Sequence, residues 1–262
     1  MISFERLGQI INQWNELIWA GIISTLILSI FGTVVGLLLG IPLAYGKRLK
    51  TKQYDSKFKK VLFAIIKGFC NIYSTVLRGT PMMVQALIFK FASQALGISW
   101  GSMVFPSELL NVFNGWFFAG LIVITFNTAA YMGEVVISGI NGIDPGQIEG
   151  AKSLGLSPTT TTFSIVLPQA LRNSLPTIGN ELIINIKDSS VLNVIAVTEL
   201  YYRLISIASS TYSFLEAYLL LAVIYLCMTA ITSFILKLIE KKLDGEKISL
   251  NPFGRIRRNF YA

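Results

Sequence analysis

The chain has no histidine and only two cysteines among its 262 residues. Without histidine there is no imidazole to serve as a general base, and most zinc sites lose a ligand they need. Cys70 and Cys227 lie far apart, within or beside apolar stretches, and no CxxC is present, so they read as buried thiols rather than as a disulfide framework. Charge is also scarce: Asp, Glu, Lys and Arg make up 14% of the chain, against about a quarter in soluble domains. No catalytic constellation and no metal-ligating cluster emerges, and no cofactor is called for. The nearest approach to a phosphate loop runs from Gly40 to Arg48, with Gly46-Lys47-Arg48 at its end. One residue too many separates its glycines, Arg stands where Ser or Thr must reach magnesium, and no strand precedes it. This is the sequence of a chain that neither hydrolyses ATP nor makes or breaks bonds.

Apolar surface is abundant. Hydrophobic residues make up 53% of the chain and the mean hydropathy is +0.62. The net charge of +8 is not spread as a nucleic-acid groove requires. Lys47, Arg48, Lys50, Lys52, Lys57, Lys59 and Lys60 crowd beside apolar segments, and a second group, Lys237 to Arg258, lies near the C-terminus. Basic clusters flanking apolar spans are the positive-inside pattern of a membrane protein, so lipid, not nucleic acid, is the expected surroundings. Residues 1–17 carry no small-residue cleavage site and read as an amphipathic surface helix rather than a signal peptide.

Five spans are expected: about Ile18–Tyr45, Met82–Ile98, Gly115–Ile140, Leu175–Val197 and Phe214–Leu238. The mixed apolar and basic stretch Phe58–Leu77 precedes Arg78-Gly79-Thr80-Pro81, and Pro81 opens the second span. Lys90 within that span reads as a snorkelling side chain unless it proves buried. The connection containing Glu108 and the one from Tyr201 to Tyr212 are expected outside. Five spans put the N-terminus outside and the C-terminus inside, with both basic clusters in the cytoplasm. Residues 18–240 then form one transmembrane domain and 241–262 a basic cytoplasmic tail. In the first span Gly32, Gly36 and Gly40 recur every fourth residue, which leaves one helix face nearly bare backbone for close packing within the chain or in a dimer.

The longest polar insert is residues 144–168, DPGQIEGAKSLGLSPTTTTFSIVLP. Asp144-Pro145 is a helix start, Gly155 a helix C-cap, and Ser157-Pro158 a second start. Two short helices set at an angle make a rigid knuckle. Glu149, Ala151, Gly155, Ile165, Leu167 and Pro168 hold the spacing of the cytoplasmic EAA loop of ATP-binding-cassette (ABC) importer membrane subunits, with Gly150 where that pattern usually has Ala. Leu77-Arg78-Gly79-Thr80-Pro81, Asn127-Thr128-Ala129-Ala130-Tyr131, Gly179-Asn180-Glu181 and Lys187-Asp188-Ser189-Ser190 resemble the polar amino-acid branch of those permeases. The resemblance covers about residues 20–240.

That resemblance implies an all-α membrane protein of type I ABC importer architecture with a cytoplasmic coupling helix. Glu149, Gly150, Ala151, Ser153, Leu154 and Gly155 are the residues it assigns to ATPase coupling. The partners it implies are ATPase subunits, an extracellular or periplasmic amino-acid-binding protein, and a second permease, identical or a sister chain.

Two polar stripes carry the remaining chemistry. Asn127, Tyr131 and Glu134, and likewise Glu181, Asn185 and Asp188, are spaced i, i+4, i+7 and so share a helix face. Charges in a span are costly and face a cavity or a partner. Glu181, Asp188, Asn185, Asn127 and Tyr131 are therefore the candidate substrate-binding residues, with the carboxylates holding an ammonium or a cationic side chain. An ion pair of Asp188 with Lys187 or Arg78 is the plainer alternative, and ordinary interfacial solvation is expected for Glu134. The expected cargo is a basic amino acid or cystine, with glutamine or another polar amino acid open. An ion-coupled secondary transporter using Glu181 and Asp188 as cation sites is the alternative function, and a scaffold without cargo is another. A secondary transporter predicts internal repeats, and none is evident.

Overall fold

The computed structural model describes residues 4–102 and 113–243, and every regular element among them is helical. The expected outer connection around Glu108 and the tail beyond Leu243 lie outside the described residues. Helix α1 (Phe4–Gln13) is amphipathic and buries Ile10 in a cluster with Ile18, Leu204 and Leu221. Helix α2 (Asn15–Arg48) runs unbroken through Pro42. Its 34 residues span about 50 Å, well beyond the ~30 Å hydrocarbon core. The glycine-flanked stretch Gly40–Arg48 is thus helical, not a phosphate loop.

Helix α5 (Gly115–Asn141) is the centre of the bundle, and α2 lies against it. A Cβ on Gly32 would meet Ile124 Cγ2 at 3.0 Å, one on Gly36 would meet Thr128 Cγ2 at 2.9 Å, and one on Gly40 would meet Met132 Cβ at 2.7 Å. The two helices therefore run parallel in register, and the glycine face is consumed within the chain.

The second crossing differs from expectation. Helix α3 (Lys57–Gly79) is itself long and apolar enough to be a span, whereas α4 (Met82–Ala95) has only 14 residues, about 21 Å and too short to cross alone. Contacts with α5 give their levels. The Leu77 carbonyl of α3 accepts from Asn127 Nδ2 at 3.4 Å, halfway along α5. Ala86 of α4 then packs with Leu28, Phe117 and Trp100 near the far end. The crossing is thus made by α3 and α4 together, broken at mid-bundle. Pro81 causes the break: it lacks an N–H and drives Thr80 out of the helical region, to φ −123° and ψ 144°. Lys90 stands with its ammonium 5.1 Å from the Trp116 ring centroid, so it is not a cavity group.

Helix α6 (Pro145–Ser153) and the short α7 (Pro158–Thr160) form the knuckle. A wide helical turn over Thr161–Val166 leads into α8 (Leu167–Asp188), which continues as a tighter helix through Ser189–Ile195. Helix α8 runs antiparallel to α5: Ser174 Oγ donates to the Val135 carbonyl at 3.1 Å, while Leu192 and Val197 close on Gly120. The expected loop over 201–212 is instead helix α9 (Leu200–Thr211), bent 55° from α8 and packed through Leu200, Leu204 and Ile207. Helix α10 (Phe214–Leu243) returns alongside α8, with Leu236 on Gly179. Helices α2, α3, α5 and α10 have the length and apolarity of spans, and the bent α8–α9 pair is the fifth when taken as one crossing.

Candidate functional site

A cavity of about 480 Å³ opens where the second crossing breaks. Arg78 to Met82 form one wall, Asn127 and Tyr131 of α5 another, and Glu181, Ile184, Asn185 and Asp188 of α8 the third. The two i, i+4, i+7 stripes therefore converge, and the helix break supplies the third side. Glu181 and Asp188 are half-buried, and neither enters an ion pair among the described residues.

The other candidate residues are partly committed. Asn185 is 4% exposed; its Oδ1 accepts from Thr128 Oγ1 at 3.1 Å and its Nδ2 donates to Thr33 Oγ1 at 2.8 Å. Its amide ties α2, α5 and α8 together, which makes Asn185 chiefly a structural floor. Asn127 Nδ2 donates to Gln85 Oε1 at 3.0 Å, and the residue lines the cavity. Tyr131 presents its ring to the guanidinium of Arg78, 5.6 Å away.

Glu134 is not simply solvated. Its Oε1 pairs with Lys47 of α2 and with Arg78 Nη1 at 3.1 Å. Arg78 is thus spoken for by Glu134 rather than by Asp188. The described lining brings together the cation Arg78, the carboxylates Glu181 and Asp188 without an ion pair, the amides Asn127 and Asn185, and Tyr131. Among the described residues the lining is polar and carries charge of both signs.

Two residues escape sequence reasoning. Gln85 staples the break: its Nε2 donates to the Leu77 carbonyl at 2.8 Å and to the Thr80 carbonyl at 2.9 Å. Its position four residues after Pro81, in the first turn of α4, is the signal that would have found it. Glu199, fully buried, caps α9 by accepting from the amides of Tyr201 at 3.0 Å and Tyr202 at 2.9 Å. It also accepts from Tyr225 Oη at 2.8 Å and Thr25 Oγ1 at 3.3 Å. In the sequence it stands between the end of the expected fourth span and the expected outer connection, with nothing nearby to mark it as a cap.

The knuckle is built as its residue types dictate. Asp144 Oδ1 accepts from the Gly146 amide at 2.9 Å, Gly155 takes φ +73°, and Ser157 Oγ accepts from the Thr160 amide at 3.1 Å. Ala151 is buried, and Ile148 packs in part against the cluster of Ile143, Ile140 and Val166. Glu149, Gly150, Ser153, Leu154 and Gly155 face out, and Leu154 is 80% exposed. Of the six coupling candidates, Ala151 is therefore the one that anchors the helix to the bundle. Tyr45 of α2 stacks on Phe163 of the knuckle, 6.5 Å between centroids.

Comparison with known proteins gives this geometry a setting. A family model described as binding-protein-dependent transport system inner membrane component matches residues 36–245. A Rickettsia conorii protein named, provisionally, as a glutamine transport system permease is 32% identical over 85% of this chain and 91% of its own length. The arginine transport system permease protein of Bacillus subtilis is 31% identical over 86% of this chain and 91% of its own. A crystal structure of an amino acid ABC transporter with histidines superposes with a TM-score of 0.73 at 31% identity, covering 92% of this chain and 99% of that one. The MetNI methionine ABC transporter, at 16% identity and a TM-score of 0.60, shares the fold. Apolar crossings around a polar cavity, and a family match over most of the length, lead to one conclusion: this multi-pass chain belongs to the binding-protein-dependent transport system inner membrane components and works in the cytoplasmic membrane.

Proposed function

We propose that the chain is the permease subunit of an ABC importer for polar amino acids, with basic amino acids as the first class of cargo. The observation that carries this reading is the cavity at the helix break, where Glu181 and Asp188 stand unpaired opposite Arg78. An amino-acid zwitterion needs one anion and one cation from its site; the second carboxylate is left for a cationic side chain. Glu181 and Asp188 lie seven residues apart on α8, about 10 Å along the helix axis, which suits the two ends of a long basic amino acid. Asn127 and Tyr131 complete the polar lining. The names of the relatives, which include glutamine and arginine permeases, point to the same class.

ATP hydrolysis resides on partner ATPase subunits that grip the outward face of α6: Glu149, Gly150, Ser153, Leu154 and Gly155. A second permease, identical or a sister chain, completes the pathway, and a binding protein delivers cargo at the end bearing α9. The N-terminus then lies outside and the basic loop in the cytoplasm. ATP binding draws the two knuckles together and rocks the helices between outward- and inward-facing states, which differ in their contacts with cargo. An ion-coupled secondary transporter would have no use for an exposed, doubly capped knuckle, and the family match supports the importer.

The test is uptake into vesicles holding this chain with its ATPase and binding protein. Asp188→Asn is expected to lower the uptake of lysine and arginine by about tenfold, the weight of roughly 1.4 kcal/mol, and to spare neutral amino acids. An equal loss for every amino acid would remove Asp188 from the selectivity site.

A further inference from the structure

One oxygen of Glu134 serves two cations from different helices. Its Oε1 pairs with Lys47, whose side chain is 11% exposed in the last turn of α2, and with Arg78 in the last turn of α3. Arg78 also lines the cavity, so one residue meets both Glu134 and the space a solute would take. The last turn of α2 has two further contacts. Tyr45 stacks on Phe163 of the knuckle, and Arg48 donates to Asn141 Oδ1 at the end of α5. A single helical turn therefore touches the knuckle, the end of α5 and the acid behind the cavity.

The charges of this group do not balance while the cavity is empty. Lys47 and Arg78 share one carboxylate as their direct partner, so this trio alone carries one positive charge in excess, faced across the cavity by Glu181 and Asp188 without an ion pair. A guanidinium matches one carboxylate well through its planar fork, and the geometry around Arg78 gives Glu134 only the Nη1 contact. The carboxylate of a bound amino acid gives Arg78 an anion of its own in direct contact. Arg78 then pairs with cargo and Glu134 with Lys47, two matched pairs in place of one shared acid.

We propose that Glu134 is a shared counter-ion that reports occupancy of the cavity to the knuckle. When cargo takes Arg78, Glu134 passes wholly to Lys47 and fastens the last turn of α2 onto α5, and Tyr45 carries that setting to Phe163. The inference rests on the amino-acid cargo proposed above. The coupling is reciprocal: a knuckle drawn toward its partner by nucleotide raises cargo affinity by the same factor by which cargo promotes that state. Adjacency alone does not establish coupling, so the test measures it.

The experiment is ATP hydrolysis by the full complex of this chain with its ATPase in nanodiscs, with and without arginine, lysine, glutamine or cystine. Arg78→Met leaves Glu134 to Lys47 alone and mimics an occupied cavity. Hydrolysis without amino acid is expected to rise to the stimulated wild-type rate and to respond no further. Glu134→Gln removes the anion that Lys47 should receive, and stimulation is expected to fall by at least about fivefold, within the range of allosteric couplings. A merely structural role would make both variants lose activity together. An unstimulated Arg78→Met rate at or below wild type overturns the proposal, as does a Glu134→Gln complex that is still fully stimulated. If none of the four amino acids stimulates the wild type, the cargo reading falls and this inference with it.

Discussion

Gly40 and Glu199 give the sharpest local tests of the packing. A side chain on Gly40 has Met132 Cβ at 2.7 Å and the Gly133 amide nitrogen at 2.8 Å in its way, and helix backbone cannot move aside as a flexible side chain does. Gly40→Val is expected to destabilise the chain by about 1–3 kcal/mol, the usual cost of overpacking, read as a lower melting temperature in detergent. At Gly68, where a Cβ meets nothing within 4 Å, alanine should instead stabilise by up to about 1 kcal/mol through helix propensity. Glu199→Ala leaves two helix amides and the Tyr225 hydroxyl without their acceptor, with an expected loss on the order of 2–4 kcal/mol. The same melting curve checks it, and an unchanged midpoint would deny Glu199 its capping role. At this scale the two stripes were legible, because i, i+4, i+7 spacing places side chains on one face whatever the fold. The commitments of those side chains were not. Nothing in the local sequence tells that Asn185 is bonded to Thr33 and Thr128, or that Glu134 holds cations from helices α2 and α3.

Among the elements, the knuckle was read most fully, since caps are local chemistry. Asp144, Gly155 and Ser157 do what their types do at helix ends. Gly155→Asp puts a side chain at φ +73°, where left-handed backbone costs about 1–2 kcal/mol, and it adds a charge to the outward face. Uptake is expected to fall far more than stability, because nothing within 4 Å of that Cβ position belongs to the bundle. Leu154→Asp, at a side chain 80% exposed, should leave the melting point within about 0.5 kcal/mol of wild type yet weaken co-purification of the ATPase. Undiminished co-purification would move the docking face elsewhere. The second crossing was read less well. Met82–Ile98 holds a single charge, Lys90, whereas Lys59, Lys60 and Lys67 interrupt Phe58–Leu77, so hydropathy favoured the later stretch alone. The break at Pro81 was visible, but its place at mid-bundle depends on α5. Helix α9 was hidden for a similar reason: its short amphipathic turns carry the polar residues of a loop and fold onto α2, with a Cβ on Gly21 meeting Leu200 Cα at 2.8 Å.

At the scale of the whole molecule, parallel α2 and α5 form the rigid centre on which α3, α4 and α8 build the cavity walls. The knuckle hangs from the end of the same centre where α2 and α5 finish, through Ile143, Val166 and the Tyr45–Phe163 stack. The proposed cargo site and the proposed coupling face are thus mounted on one pair of helices. The measurement that tests this most directly is accumulation of labelled amino acids in vesicles containing this chain, its ATPase and its binding protein, with and without ATP. Accumulation of one polar class only when ATP is present, abolished by Gly155→Asp, is the expected result. Accumulation indifferent to ATP but following a proton or sodium gradient would contradict the account.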